Sequence, residues 1–153
     1  MTFKNKNYLK NNTIYNKIMH KKIEELHNFI DNTKKSKIFG VPRICEILDE
    51  IKNSNILIIV EGKKDKAALQ KLGIKNIIEL NKKPLFQIVE DVANSNEECI
   101  ILTDLDEKGK EIYGKLNSNL QKNGVKVNNK FREFLFKHTK LRQIEGMDSY
   151  LEV

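Results

Sequence analysis

The chain has 153 residues, a formal charge of +7, 39% apolar and 32% charged residues. That length describes one domain with a short appendage, long enough to bury a core without disulfide or metal. Two cysteines far apart, Cys45 and Cys99, exclude a zinc ribbon or a disulfide scaffold and suit a reducing, cytoplasmic setting. The longest apolar run, Ile56 to Val60, is far short of the ~20 residues that span a bilayer, so no membrane association is expected. No apolar signal core follows the basic start.

Residues 1–13 are rich in Lys and Asn and read as loose. Ile14, Ile18, Ile23, Leu26 and Ile30 then recur at helical spacing. Pro42 suits the first turn of a second helix with Ile44, Ile47, Leu48 and Ile51 on its buried side. Residues 1–52 are therefore expected to be a helical extension. Ten of the basic and six of the acidic residues fall within residues 1–50, so the extension is the most basic part.

From residue 53 the pattern changes. Ile56–Val60 is a continuous aliphatic run, as in a strand covered on both faces. Lys64–Leu72 reads as a helix stopped by Gly73, Asn76–Leu80 as a strand and Leu85–Ala93 as a helix. Cys99–Leu102 is a second apolar strand, Glu107–Lys122 a helix stopped by Gly124, and Val125–Val127 a short strand. Asn128–Lys140 reads as helical with Phe131, Leu135 and His138 on one side, and Asp148–Val153 as a terminal turn or short helix. Alternation of this kind predicts an α/β fold, a Rossmann-like parallel sheet flanked by helices with right-handed crossovers, over residues 53–153 with a helical closure at its end.

In open parallel sheets chemistry sits beyond the carboxyl ends of strands. Two such ends here are acidic: Val60-Glu61-Gly62-Lys63-Lys64-Asp65 and Leu102-Thr103-Asp104-Leu105-Asp106-Glu107-Lys108-Gly109. Asp104 and Asp106 are two apart and share a side in extended backbone. With Glu61 on a neighbouring strand end, three carboxylates are expected at one crevice, a site for a hard divalent cation, Mg²⁺ or in its place Mn²⁺. Lone histidines at 20, 27 and 138 lack metal spacing, and the cysteines read as core hydrophobes. Arg132 and Arg142 are read either as phosphate contacts or as surface partners of Glu133 and Glu145. A receiver domain would carry its acidic pair first, a haloacid-dehalogenase phosphatase its Asp-x-Asp near the start, and a Walker site a second glycine and a hydroxyl residue. None fits.

The two motifs in this order, each after a buried strand, resemble the Toprim domain, which occurs in topoisomerases, bacterial primases, recombination-repair proteins and small ribonucleases that mature 5S ribosomal RNA. The resemblance covers residues 55–127. With the closing Arg142-Gln143-Ile144-Glu145-Gly146 stretch, the layout is similar to small stand-alone archaeal Toprim proteins. The resemblance implies that Glu61 is an acid/base group or metal ligand and that Asp104 and Asp106 hold Mg²⁺. It implies room for a phosphate at Gly62 and a turn at Gly109, while Lys63, Lys64, Lys108 and Asp65 are expected to flank the substrate. It also implies a nucleic-acid partner, RNA or DNA, in a homo-oligomer or larger processing complex. No tyrosine stands in a topoisomerase-like setting, and a primase zinc domain does not fit the length. The expected activity is that of a small nuclease. A non-catalytic metal- and nucleic-acid-binding module, or primase-like nucleotidyl transfer, are the alternatives.

Overall fold

The computed structural model describes residues 17–22 and 36–151, with side chains from 43 onward in the second segment. The proposed periodic positions Ile14, Ile23, Leu26 and Ile30 lie outside the described residues. Ile18, in a helical stretch over 17–22, is buried in the main core.

In chain order the elements are α1 (Ser36–Ser54), β1 (Leu57–Val60), α2 (Lys63–Lys71), β2 (Ile77–Glu79), α3 (Leu85–Ser95), β3 (Glu98–Leu102), α4 (Glu107–Lys122), β4 (Lys126–Val127), α5 (Lys130–His138) and α6 (Met147–Tyr150), with single 3₁₀ turns at Leu80–Lys82 and Ile144–Gly146. The first helix starts at Ser36, upstream of the expected start at Pro42, which therefore falls inside it. The strand expected to reach Leu80 ends at Glu79, where the chain turns into the 3₁₀ segment. His138 is exposed, packed on Phe134 with ring centroids 4.8 Å apart, rather than aligned with the buried Phe131 and Leu135.

All four strands are parallel, in the order β2-β1-β3-β4. Cover on both faces explains why β1, and β3 after Glu98, are apolar throughout. Ile58, Val60, Ile100 and Leu102 face one layer with Ile44 and Leu48 of α1, Leu69 of α2, Phe131 and Leu135 of α5, and Ile144, Met147 and Leu151 near the C-terminus. Leu57, Ile59, Cys99 and Ile101 face the other layer with Ile88, Val89 and Val92 of α3 and Leu116 and Leu120 of α4. Both cysteines are buried and free, and burial pushes their thiols up to about 12 for Cys45 and about 11 for Cys99.

The connection from β1 to β2 uses α2 on the first face; the connection from β3 to β4 uses α4 on the second. The crossovers thus diverge between the adjacent strands β1 and β3. Right-handed chirality requires this, and it opens a crevice at their carboxyl ends.

Because α1 buries Leu48 in the same cluster as β1 and β3, Leu48→Ala is expected to lower global stability by about 2–5 kcal/mol in a single urea transition. A separate early transition, or no loss, would show that α1 folds independently of the sheet.

Candidate metal and phosphate site

The crevice is assembled around the loop after β3. Thr103 is buried, and its hydroxyl donates to the Gly109 carbonyl at 2.7 Å. Asp104 follows, half-buried; Leu105 is buried; Asp106 is exposed. The expected alternation therefore persists past the strand, with one apolar anchor between two outward carboxylates.

Asp104 is fixed from every side. Its N–H donates to Glu61 Oε1 at 2.9 Å, which ties the end of β3 to the end of β1. Its Oδ1 accepts the Ile144 N–H at 2.9 Å. Its carbonyl accepts from Arg132 Nη2 at 3.1 Å, while Arg132 Nη1 donates to the Thr103 carbonyl. The next peptide is held too: Leu105 N–H donates to the Arg142 carbonyl at 2.6 Å.

Asp106 is the N-cap of α4, its Oδ1 accepting the Gly109 N–H at 2.8 Å. Gly109 is required by close approach. A Cβ there would sit 2.0 Å from the Asp104 carbonyl oxygen, inside the backbone itself. The turn expected at Gly109 is thus a steric demand of the Asp104 loop. Gly62 differs: a Cβ would meet only Asn81 Nδ2 at 3.4 Å, an ordinary contact, so the chain's own packing does not require glycine there.

Asp65 reaches back from the first turn of α2, Oδ2 accepting the Gly62 N–H at 3.0 Å. It is buried. Burial, opposed by that hydrogen bond and reinforced by the negative charges of Asp104, Glu61 and Glu145, pushes its carboxyl up to about 6. Asp104 is raised too, first by burial and then by Asp106 and Glu145, against the Ile144 N–H and Arg132. Arg132 is lowered by its burial, which the fields of Tyr113, Glu61 and Asp104 oppose. The crevice is an acidic centre whose charges resist one another, and an added cation relieves that strain.

The structure brings Glu61, Asp104 and Asp106 to this one edge, with Asp65 beneath them. Lys63, Lys64 and Lys108 are exposed around it, and Lys64 Nζ lies 3.9 Å from Glu145 Oε2. Among the described residues no three His, Cys, Asp or Glu side chains stand close enough to form a ready-made metal cage. Each carboxylate is drawn toward the backbone N–H it accepts. The donor set remains all oxygen, and two carboxylates completed by water match what Mg²⁺ ordinarily takes. The residues therefore fit a hard cation.

Two participants escaped the sequence reading. Glu145 lies in the closing segment and adds negative charge to both Asp65 and Asp104. Arg132 was read as a surface or phosphate-facing residue; it is buried, stacked 4.5 Å over the Tyr113 ring, with its donors on backbone carbonyls. Its place three residues before Leu135 and beside Phe131 is the signal that it shares their buried face. Nor does Arg142 pair with Glu145: it donates to the carbonyls of Thr139 at 3.3 Å and Leu141 at 2.8 Å.

The chain is similar to known proteins across the sheet that carries this crevice. A profile of the Toprim domain matches residues 55–129. The chain is 32% identical over 115 residues to a UPF0292 protein of Methanocaldococcus jannaschii, covering 71% of this chain and 90% of that protein. It is 39% identical over 107 residues to a UPF0292 protein of Pyrococcus horikoshii, covering 69% and 80%. A solved structure of a protein from Aquifex aeolicus is similar with a TM-score of 0.61 and 36% identity, over 67% of this chain and 94% of that one.

Two outcomes follow from the packing and charge. Gly109→Ala is expected to destabilise the protein by at least ~1–3 kcal/mol, read from urea midpoints, because backbone must move to admit the methyl group. A wild-type midpoint would contradict the close approach. For Asp65, the folded state holds its proton more tightly than the unfolded chain, whose carboxyl sits near ~3.9. Its contribution is therefore full below pH ~4 and is lost as pH rises through about 6. In metal-free protein the wild type should lose more stability between pH ~4.5 and ~7 than Asp65→Asn does; parallel losses would contradict the raised carboxyl.

Proposed function

The chain belongs to the Toprim family, among the small UPF0292 proteins, and from that membership and its crevice we propose a Mg²⁺-dependent phosphodiesterase acting on nucleic acid, a small nuclease. The observation that carries this reading is the hydrogen bond from the Asp104 N–H to Glu61 Oε1, which joins the two acidic strand ends where the crossovers diverge.

In this reading Asp104 and Asp106 hold the metal, with Glu145 adding negative charge beside Asp104. Bound there, Mg²⁺ supplies positive charge to the phosphodiester oxygens and acidifies a coordinated water. Glu61 is the acid/base group: one oxygen is anchored on the Asp104 N–H, which fixes the carboxylate's orientation for proton transfer. Gly62, free of any packing demand, leaves room for a phosphate. Lys63, Lys64 and Lys108 neutralise flanking phosphates, acting mainly through position and charge. Arg132 is a positioning residue. It grips the carbonyls of Thr103 and Asp104 and so holds the loop that carries the ligands.

One observation favours a second reading, a non-catalytic binding module: Glu61, Asp104 and Asp106 each already accept a backbone N–H, a structural use that needs no reaction.

A cleavage assay separates the two. Structured RNA, single-stranded DNA and duplex DNA are each incubated with the protein in Mg²⁺ or chelator. Cleavage is expected only with metal, with Glu61→Gln and Asp104→Asn lowering the rate by at least ~100-fold while binding persists. Cleavage that survives chelator, or undiminished rates in both variants, would contradict the enzyme. Salt-sensitive binding with no cleavage of any substrate would favour the module.

A further inference from the structure

Among the described residues two large apolar side chains are exposed, Phe86 at 73% and Phe136 at 43%. They differ in their surroundings. Phe86 has no cation over its ring among the described residues. Phe136 has two: Lys110 Nζ is 4.9 Å from its centroid and the Arg142 guanidinium carbon 5.6 Å.

Both cations are rooted in the acidic centre. Lys110 is in the first turn of α4, its N–H donating to the Asp106 carbonyl at 3.0 Å. Arg142 gives its carbonyl to the Leu105 N–H, between the two aspartates. Phe136 is thus linked to the loop of the proposed metal ligands through Lys110 and Arg142, whose backbones are bonded to it. Lys137 and Lys140, both exposed, add positive charge next to it in sequence. No carboxylate pairs with Lys110 or Arg142 among the described residues, although the crevice a few residues away is rich in them.

An exposed ring with two cations close to it, beside a site for phosphodiesters, has the two elements that hold unpaired nucleic acid: accessible aromatic surface for a base and charges for the adjoining phosphates. A duplex would present backbone and base edges to this surface but no free base face, because its bases are stacked on one another. From this arrangement we propose that Phe136, with Lys110 and Arg142, is a base-stacking platform that receives single-stranded nucleic acid and feeds it to the Asp104 crevice. The inference rests on the phosphodiesterase reading and specifies its substrate as an unpaired strand.

Phe136 is exposed, so its replacement leaves the core intact. Binding of labelled ~12-nucleotide oligo-U RNA, oligo-dT and a duplex of the same length is measured by anisotropy with the full chain in chelator, so that no strand is cut. The single strands are expected to bind more tightly than the duplex. Phe136→Ala should weaken single-strand binding by about ten-fold, Phe136→Trp should restore it, and Phe136→Leu, equally apolar but without a π face, should not. Lys110→Gln should flatten the dependence of log affinity on log salt by ~0.7. The RNA and DNA arms decide which strand the platform accepts. Unchanged affinity in Phe136→Ala, or full rescue by leucine, would overturn the platform and leave the phosphodiesterase standing. Absence of binding to all three probes, together with absence of cleavage in Mg²⁺, would overturn both.

Discussion

The structure depends on one loop being held still. Asp104 leaves the sheet at the point where α/β chemistry is usually done, and none of its polar backbone groups is left to water. Glu61 takes its N–H, Arg132 takes its carbonyl, Ile144 satisfies one carboxylate oxygen, and Gly109 presses against its carbonyl with no space for a methyl group. These contacts come from four separate stretches of the chain. A buried or half-buried polar group without a partner costs a few kcal/mol, so each stretch stabilises the others through this single residue. Arg132 shows how far the arrangement goes. A guanidinium is held in an apolar layer, its charge supported by Tyr113, Glu61 and Asp104 against the cost of burial, and it grips two carbonyls.

Holding the loop this way concentrates negative charge. Burial first, and then the negative charges of Asp104, Glu61 and Glu145, push Asp65 up to about 6, and Asp104 is raised by its burial and then by Asp106 and Glu145. Mutual repulsion of this kind is what a bound cation would relieve. The overall charge of +7 is therefore a poor guide to the site. The positive residues surround an acidic centre, and three of them, Lys63, Lys64 and Lys108, border it directly.

Much of this was legible in the sequence because the relevant signals are local. Two wholly aliphatic strands can only be covered on both faces, and a carboxylate following each one locates the crevice. The parallel order then follows from strand-helix alternation. What was not legible depends on contacts between distant residues. Arg132 looks like a surface cation because the Thr103 and Asp104 carbonyls it grips are 29 and 28 residues away in the chain. Gly109 looks like a turn glycine because the Asp104 carbonyl that excludes its methyl group lies across the turn in space. The buried face of α1, Ile44, Ile47, Leu48 and Ile51, is legible from spacing, whereas its start at Ser36 is not, because proline's preference for a first turn marks Pro42 instead.

Whether Asp104 and Asp106 hold a divalent cation at the divergence of the two crossovers is read from anomalous diffraction of crystals of the full chain soaked in Mn²⁺, the heavier stand-in for Mg²⁺. An anomalous peak is expected between the Asp104 and Asp106 side chains, absent in Asp104→Asn crystals. A saturating soak that leaves both carboxylates unliganded, or a peak that persists in Asp104→Asn, would contradict this reading.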